Sequence, residues 1–206
     1  MLGNKINSMD LKEKNINHFA IKEAVFPFKR FTGVDTILGP EMRSTGEVMG
    51  IDRDFGMAFA KSQIGSGSRI PTEGSVFVSV KDSDKDKILN PVSDLFSLGF
   101  DIYATHGTAE FLNNNNIQTK KINKVLQGSP HIVEMISEKK ISLVLNTTET
   151  PQAIKDSKSI RRSALESETP YYTTVSGANA VVMAIKAIKN NEMSIKTIQS
   201  FGQLLS

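Results

Sequence analysis

The feature that most restricts the fold of this sequence is a regular alternation of short apolar runs with longer amphipathic segments, which begins near residue 74. Residues 75–80 and 141–145 have the length and apolar character of buried strands. Residues 84–98 place Ile88 and Val92 on one face of a helix. Strands that alternate with helices pair in parallel and are covered on both faces. The sequence therefore predicts an α/β fold, in which helices flank an open five-stranded parallel sheet in three layers.

The alternation also sets the bounds of the predicted elements. The strands are predicted at residues 75–80, 99–104, 117–122, 141–145 and 171–175. The helices are predicted at residues 84–98, 107–113, 130–138, 151–165 and 178–189.

The sequence before the alternation has a different character. It predicts a strand at residues 24–31 that Pro27 interrupts, a loop at residues 39–50, and a helix at residues 53–63. The glycine- and serine-rich residues 65–68 then indicate a boundary. We therefore expect two parts, residues 1–66 and residues 67–206.

The composition excludes several classes of protein. The net charge of +3 is too balanced for the basic surface of a nucleic-acid-binding protein. No apolar run is long enough to cross a membrane, and the polar N-terminus lacks the apolar core of a signal peptide. Cysteine is absent, which excludes disulfides and thiolate chemistry. We therefore expect a cytoplasmic protein that binds neither nucleic acid nor membrane.

Polar side chains follow the predicted strands at the points where the strands end. These side chains are Lys85, Thr105, Thr108, Lys124, Asn146, Thr147 and Thr148. The carboxyl ends of parallel strands meet at one edge of a sheet, where helix N-termini direct their N–H groups outward. Taken singly, each threonine or asparagine motif is also what an ordinary helix cap requires. Their joint occurrence with two lysines predicts an anion site that suits a phosphate monoester.

The residues predict no catalytic site and no metal site. The histidines lack the spacing of metal ligands, and His18 and His131 are expected at the surface or at a helix start. His106 could act as a general base, but the sequence offers no carboxylate to orient it and identifies no nucleophile. The glycine-rich motifs that bind ATP or dinucleotides are also absent.

Several motifs resemble those of one enzyme family. Residues 26–31 (Phe-Pro-Phe-Lys-Arg-Phe) and 39–50 (Gly-Pro-Glu-Met-Arg-Ser-Thr-Gly-Glu-Val-Met-Gly) resemble the end of the second ATP-grasp unit of the carbamoyl phosphate synthetase large-chain family. From Gly74 onward the sequence resembles that family's C-terminal allosteric domain, a relative of methylglyoxal synthase. The second resemblance is carried by Val80 and by residues 104–109 (Ala-Thr-His-Gly-Thr-Ala), 122–125 (Ile-Asn-Lys-Val), 145–148 (Leu-Asn-Thr-Thr) and 160–165 (Ile-Arg-Arg-Ser-Ala-Leu).

The resemblance covers residues 21–188 and implies both the fold and the domains. Residues 1–66 would be the small α+β end of the ATP-grasp unit. Residues 67–206 would be a methylglyoxal-synthase-like domain with a Rossmann-like three-layer sheet.

The resemblance also implies the ligands. The family's allosteric domain binds nucleoside monophosphates, of which UMP inhibits and IMP can activate. The matching nucleotide-binding positions are Ser79, Lys85, Thr105, Thr108, Lys124, Asn146, Thr147 and Thr148. Glu23 and Thr173 match positions of the family's ornithine site, whose other acidic ligands would precede residue 1. Phe26 stands where a smaller apolar residue is usual in the family.

The resemblance implies a regulatory piece of a ligase rather than a complete enzyme. The family's ATP-grasp catalytic residues lie upstream of this sequence, so no carbamoyl phosphate synthesis is expected from the chain alone. No cofactor is expected here, because ATP, magnesium and potassium ions would bind the absent part. The expected partners are the remainder of the large chain, the glutaminase small chain and further copies of the chain. Together they would supply carbamoyl phosphate for pyrimidine and arginine biosynthesis.

Other functions compete with this interpretation. A free-standing lyase like methylglyoxal synthase would share the phosphate site, but related lyases carry a Gly-Gly-Asp loop where this sequence has Gly128, Ser129 and Pro130. A structural module that pairs subunits is a further alternative. Some relatives respond to N-acetylglutamate, which has no phosphate, whereas the two lysines favour a nucleotide.

Overall fold

The computed structural model describes residues 16–25, 46–123, 128–149 and 151–202 of the chain. Its strands are β1 (Phe19–Val25), β2 (Gly46–Asp52), β3 (Ser75–Ser79), β4 (Asp101–Ala104), β5 (Thr119–Lys121), β6 (Leu143–Asn146) and β7 (Tyr171–Tyr172). Its α-helices are α1 (Phe55–Gly65), α2 (Lys85–Ser97), α3 (His106–Asn114), α4 (Ile132–Ser137), α5 (Pro151–Asp156), α6 (Lys158–Glu166), α7 (Val175–Asn190) and α8 (Ile198–Gly202). A turn of 3₁₀ helix, Asp82–Asp84, leads into α2.

Five parallel strands form one sheet, in the order β5-β4-β3-β6-β7. The chain starts at the centre with β3 and adds β4 and β5 on one side. It then returns to place β6 and β7 on the other side. The predicted open, five-stranded parallel sheet is therefore confirmed.

The central strand β3 explains why the sheet is covered on both faces. Successive strand residues point to opposite faces, and Val76, Phe77 and Val78 are all fully buried. Val76 and Val78 belong to an apolar cluster with residues of α2, α3 and α7, whereas Phe77 belongs to a second cluster with residues of α4 and α6. The centre of β3 is buried on both faces, which accounts for its lack of polar alternation. The three predicted layers are confirmed.

The strands β1 and β2 form a separate antiparallel hairpin, on which α1 packs. Two glycines permit this arrangement. A Cβ at Gly50 would overlap the backbone of Ala58 and Ser62 in α1, and a Cβ at Gly56 would overlap the carbonyl of Met183 in α7. α1 therefore packs directly on both the hairpin and α7.

The predictions for the first part of the chain need correction. The loop predicted at residues 39–50 is wrong for residues 46–50, which belong to β2. Gly50 reflects the close approach of α1 and not a turn. The predicted strand at residues 24–31 overlaps only the end of β1, which begins earlier, at Phe19. Residues 26–45 lie outside the described residues.

Two of the observed helices differ from their predicted bounds because polar side chains hydrogen-bond the backbone at their ends. The helix predicted at residues 151–165 is two helices, α5 and α6, with Ser157 between them. The Ser157 hydroxyl donates to the carbonyl of Ala153 at 2.8 Å. The helix predicted from residue 130 begins at Ile132, because His131 caps it by accepting from the Glu134 N–H.

The C-terminal elements differ in a similar way. The predicted strand at residues 171–175 is only Tyr171–Tyr172, because Thr174 already caps α7 by accepting from the Gly177 N–H at 3.0 Å. The short α8 has no counterpart in the predictions. Its Phe201 is buried, and the centroid of its ring lies 5.4 Å from that of His18. This contact depends on a distant residue, so local sequence does not reveal it.

The contact between α1 and α7 gives a test of the fold. Gly56→Ala should lower the free energy of unfolding by about 1–3 kcal/mol, because the added methyl group overlaps the Met183 carbonyl. Gly65→Ala at the end of the same helix is the matched control, since its Cβ would make ordinary contacts with Val48. Urea unfolding monitored by circular dichroism measures both variants. Equal stability of the two variants would contradict the close packing of α1 on α7.

Candidate functional site

The candidate site lies where the strand order of the sheet reverses. β3 and β6 are neighbours, but the chain leaves β3 towards one side of the sheet and β6 towards the other. Such a point leaves a crevice at the carboxyl ends of the two strands, where α/β proteins bind their ligands. Ser79 ends β3 and Asn146 ends β6, and the two residues are partners in the ladder.

Hydrogen bonds fix the segments that leave these strands. The Thr147 N–H donates to the Ser79 carbonyl at 3.0 Å. The Thr147 hydroxyl in turn accepts from the Lys81 N–H at 3.1 Å. The Thr108 hydroxyl accepts from the Val80 N–H at 3.4 Å. The two buried threonines thus hold the backbone after β3 in place.

The N-terminus of α3 opens onto the same crevice. Thr105 is the N-cap residue of α3, but its side chain makes no cap hydrogen bond. Its hydroxyl donates instead to Ser79 Oγ at 3.2 Å. The N–H groups in the first turn of α3 therefore donate no hydrogen bond to the Thr105 side chain. The partial positive charge of a helix N-terminus makes such groups suitable for an anion.

Lys85 brings a full positive charge to this helix end. It is the first residue of α2, and its ammonium nitrogen lies 3.7 Å from the position that a Cβ would take at Gly107 in α3. The ammonium pairs at 2.8 Å with Asp82, whose side chain is 93% exposed. The hydrogen bond to Lys85 and the lysine's charge hold the pKa of Asp82 below its usual range. Glycine at position 107 thus lets the lysine lie close to the start of α3.

Asn146 lies buried at the back of the crevice. Its Nδ2 donates to Ser157 Oγ at 3.1 Å and to the Tyr171 hydroxyl. Thr148 follows as a half-buried residue. Lys124 lies outside the described residues. The predicted residues that lie at this edge of the sheet are Ser79, Lys85, Thr105, Thr108, Asn146, Thr147 and Thr148.

Of the second predicted pair, Glu23 and Thr173, Glu23 belongs to a different cluster, which includes Gln63 and Tyr172. Glu23 lies on β1, where burial raises its pKa and a hydrogen bond from Gln63 opposes the rise. The Tyr172 hydroxyl donates to Gln63 Oε1 at 3.2 Å. Burial, with a smaller contribution from the charge of Glu23, raises the pKa of Tyr172. Thr173 is the exposed residue that directly follows Tyr172.

Several residues of these clusters were missed by sequence reasoning. Lys81 directly follows the strand predicted at residues 75–80, so the rule that selected the other strand ends could have found it. Its ammonium nitrogen lies 3.8 Å from Glu149. Tyr171, Tyr172 and Gln63 carried no such signal, because their roles depend on partners far away in the sequence.

The carboxylate of Glu134 lies near the loop where a related lyase would carry its aspartate, and it already accepts two hydrogen bonds. Glu134 Oε2 accepts from the His131 N–H at 2.9 Å and from the Ser129 hydroxyl at 3.0 Å. These bonds use the carboxylate to cap α4.

Neither a metal cluster nor a membrane helix occurs in the part of the chain that the structure describes. No three His, Asp or Glu side chains there are grouped as metal ligands. No helix there has the length and apolar character needed to cross a bilayer.

A half-open cavity of about 230 Å³ borders the loop that leads into β7. Arg69, Arg161, Pro170 and Tyr171 are among its lining residues. It lies apart from the hydroxyl and lysine groups at the strand ends, since none of them lines it.

The class of protein follows from this geometry and from the comparisons with known proteins. The family model of the MGS-like domain matches residues 87–173, which span α2 to β7. The carbamoyl phosphate synthase large chain of Rhizobium meliloti (strain 1021) is 53% identical over 91% of this chain and 16% of its own length. The large chain of Nostoc sp. (strain PCC 7120) is 45% identical over 98% of this chain and 18% of its own length. A solved methylglyoxal synthase from Elizabethkingia anophelis NUHP1 is 16% identical, with a TM-score of 0.43 over 55% of this chain and 79% of its own.

The chain therefore carries an MGS-like domain. It belongs to the family of carbamoyl phosphate synthase large chains. It spans about a sixth of the length of the relatives that it matches.

The raised pKa of Glu23 predicts a pH dependence of stability. Burial raises the pKa of Glu23 in the folded state, so ionisation of its carboxylate disfavours folding. The contribution of Glu23 to the free energy of unfolding therefore falls as the pH rises from the ordinary pKa of 4.5 through the raised pKa. Glu23→Gln removes this loss. The stability of the variant relative to the wild type should therefore increase over that pH interval and then become constant. Thermal unfolding of both proteins between about pH 4 and pH 8 measures the difference, and a difference independent of pH would contradict the burial of the carboxylate.

Proposed function

We propose that this chain is the effector-binding regulatory domain of a carbamoyl phosphate synthase large chain, and that the crevice at the ends of β3 and β6 binds the phosphate of a nucleoside monophosphate. The observation that carries the proposal is the position of the Lys85 ammonium group beside the start of α3. A charged group and a helix N-terminus thereby converge at the point where the strand order reverses.

A phosphate suits this arrangement for physical reasons. It is nearly a dianion and offers three strong acceptor oxygens, which match an ammonium group together with hydroxyl and backbone donors. The helix terminus would add roughly 0.3–1 kcal/mol. Thr105 and Thr108 are buried beside it and offer hydroxyls. Asp82, the present partner of Lys85, is fully solvated, so a phosphate can replace it at little cost. Lys124 is proposed as a second cation of this site.

The remaining nucleotide contacts are proposed for the β6 side of the crevice. Asn146, Thr147 and Thr148 offer amide and hydroxyl groups that can hydrogen-bond a ribose or a base. The resemblance to the bacterial enzymes favours UMP as an inhibitor and IMP as an activator. The effect on the parent enzyme would be a coupling free energy of about 1–3 kcal/mol between the effector site and distant catalytic centres.

We also propose that Glu23 and Thr173 are the part of an ornithine site that this chain supplies. A half-buried carboxylate is a suitable partner for the ammonium groups of an amino acid. The other ligands would come from the remainder of the large chain. ATP, magnesium and potassium ions would also bind there, and the glutaminase small chain would complete a cytoplasmic ligase. In this proposal residues 1–66 are the end of an ATP-grasp unit, residues 67–206 are the regulatory domain, and the chain alone synthesises no carbamoyl phosphate.

The free-standing lyase is less well supported. Its chemistry requires a carboxylate that is available to move protons, and Glu134 in the corresponding region already caps α4 with both a backbone and a side-chain bond.

Isothermal titration calorimetry with UMP tests the proposed function. Lys85→Ala should weaken UMP binding by about 10- to 100-fold, because a hydrogen bond to a charged group contributes about 1.5–3 kcal/mol. Lys87→Ala is the matched control, since Lys87 is an exposed lysine in the first turn of the same helix. Its affinity for UMP should stay close to that of the wild type.

The same titration separates the alternatives. Equal losses in the two lysine variants would mean that general positive charge, and not the crevice, attracts the nucleotide. If neither UMP nor IMP bound the wild-type chain, the result would contradict the nucleotide site and favour a structural role.

A further inference from the structure

The segment between β3 and α2 is held at both walls of the crevice. The Val80 N–H donates to the hydroxyl of Thr108 in α3 at 3.4 Å. The Lys81 N–H donates to the hydroxyl of Thr147, which follows β6, at 3.1 Å. Because consecutive Cα atoms are only about 3.8 Å apart, Lys81 lies close both to the first turn of α3 and to the exit of β6.

A single turn of 3₁₀ helix connects Lys81 to Lys85. Lys81 is the N-cap residue of this turn, and its carbonyl accepts from the Asp84 N–H at 3.0 Å. Lys85 is the C-cap residue, and its ammonium group lies beside the start of α3. The same short segment therefore carries two lysines at the crevice, one at each end of the turn.

Each of these lysines is paired with a solvated carboxylate. Lys85 Nζ lies 2.8 Å from Asp82 Oδ1, and Lys81 Nζ lies 3.8 Å from Glu149 Oε1. The side chain of Lys81 is 31% exposed, whereas that of Glu149 is 61% exposed. Water screens exposed ion pairs, so such pairs stabilise a fold only slightly. An anion that binds more favourably can therefore replace Glu149 as the partner of Lys81.

The ion pair between Lys81 and Glu149 joins the two sides of the crevice. Lys81 belongs to the segment that follows β3, and Glu149 lies three residues beyond Asn146, the last residue of β6. The carboxylate thus places a negative charge at the crevice where a phosphate, which is nearly a dianion, is proposed to bind. Carboxylate and phosphate oxygens are both strong acceptors for an ammonium group. The two anions therefore have the same partner available to them.

We propose that Glu149 competes with the effector's phosphate for the Lys81 ammonium group and thereby lowers the affinity of the crevice for its effector. This inference rests on the proposed function, to which it adds a further cation and the residue that regulates it. The flexible side chain of Lys81 lets its ammonium group turn from Glu149 to the phosphate, while the bond to Thr147 keeps its backbone in place. Glu149 is a positioning residue, because it acts on the ligand through Lys81.

Isothermal titration calorimetry at low ionic strength tests the competition. Glu149→Gln keeps the length of the side chain but removes its charge. It should tighten the binding of UMP by about three- to fivefold, which is the effect expected from one exposed ion pair. Inorganic phosphate should show the same gain, because the competition concerns the phosphate group. Lys81→Gln should weaken the binding of both ligands by about three- to tenfold, since the lysine must leave Glu149 before it binds the phosphate.

The double variant shows whether Glu149 acts through Lys81. In the Lys81→Gln background, Glu149→Gln should change the affinity for UMP by less than about 1.5-fold, because the contested ammonium group is absent. An equal gain in both backgrounds would overturn the inference, since Glu149 would then repel the ligand directly. A gain with UMP but none with inorganic phosphate would also overturn it, because Glu149 would then act on the nucleoside.

Glu166→Gln is the matched control for the loss of one exposed, ion-paired carboxylate. The side chain of Glu166 is 62% exposed, and its Oε1 accepts from Arg162 Nε at 2.9 Å at the end of α6. This variant should bind UMP with the affinity of the wild type. Unchanged affinity in Glu149→Gln, together with the expected loss in Lys85→Ala, would refute the competition and leave the nucleotide site intact. If neither UMP nor inorganic phosphate bound any of the proteins, the nucleotide site and the competition would both be refuted.

Discussion

The parallel pairing of β3 with β6 is the constraint on which the candidate site depends. It sets Ser79 opposite Asn146 and lets the two chain segments leave the sheet in opposite directions. The bonds from Thr147 to Ser79 and from Lys81 to Thr147 then define the walls of the crevice. A register shift of one residue would turn every side chain of β3 to the other face and remove these partners. Burial of β3 on both faces therefore fixes the site as well as the core.

The hairpin and α1 connect this site to the rest of the large chain in the proposed function. α1 lies before the predicted boundary at residues 65–68, yet it packs on α7, which covers one face of the five-stranded sheet. The hydrogen bond between Tyr172 and Gln63 crosses the same boundary. The division into residues 1–66 and 67–206 stays a prediction. In the proposed function, these contacts would give a regulatory signal a physical path across this boundary.

The sequence predicted the sheet well because each of its strands is marked locally. The apolar runs of β3 and β6 and the helices between them need no knowledge of distant partners, and the polar residues at the strand ends follow from the same pattern. The hairpin strand β2 was missed because its glycines resemble a turn, whereas one of them, Gly50, is required by the close approach of the α1 backbone. The roles of Tyr171 and Gln63 were also missed, since each depends on a hydrogen bond to a residue far along the chain.

A crystal structure of the chain in complex with UMP tests the central claim most directly. The account predicts that the phosphate lies at the start of α3, within hydrogen-bond distance of the Lys85 ammonium and of the Thr105 or Thr108 hydroxyl. It also predicts that the nucleoside extends towards Asn146 and Thr148. Density for UMP in the cavity beside Arg69 and Arg161, with the crevice filled only by water, would contradict it.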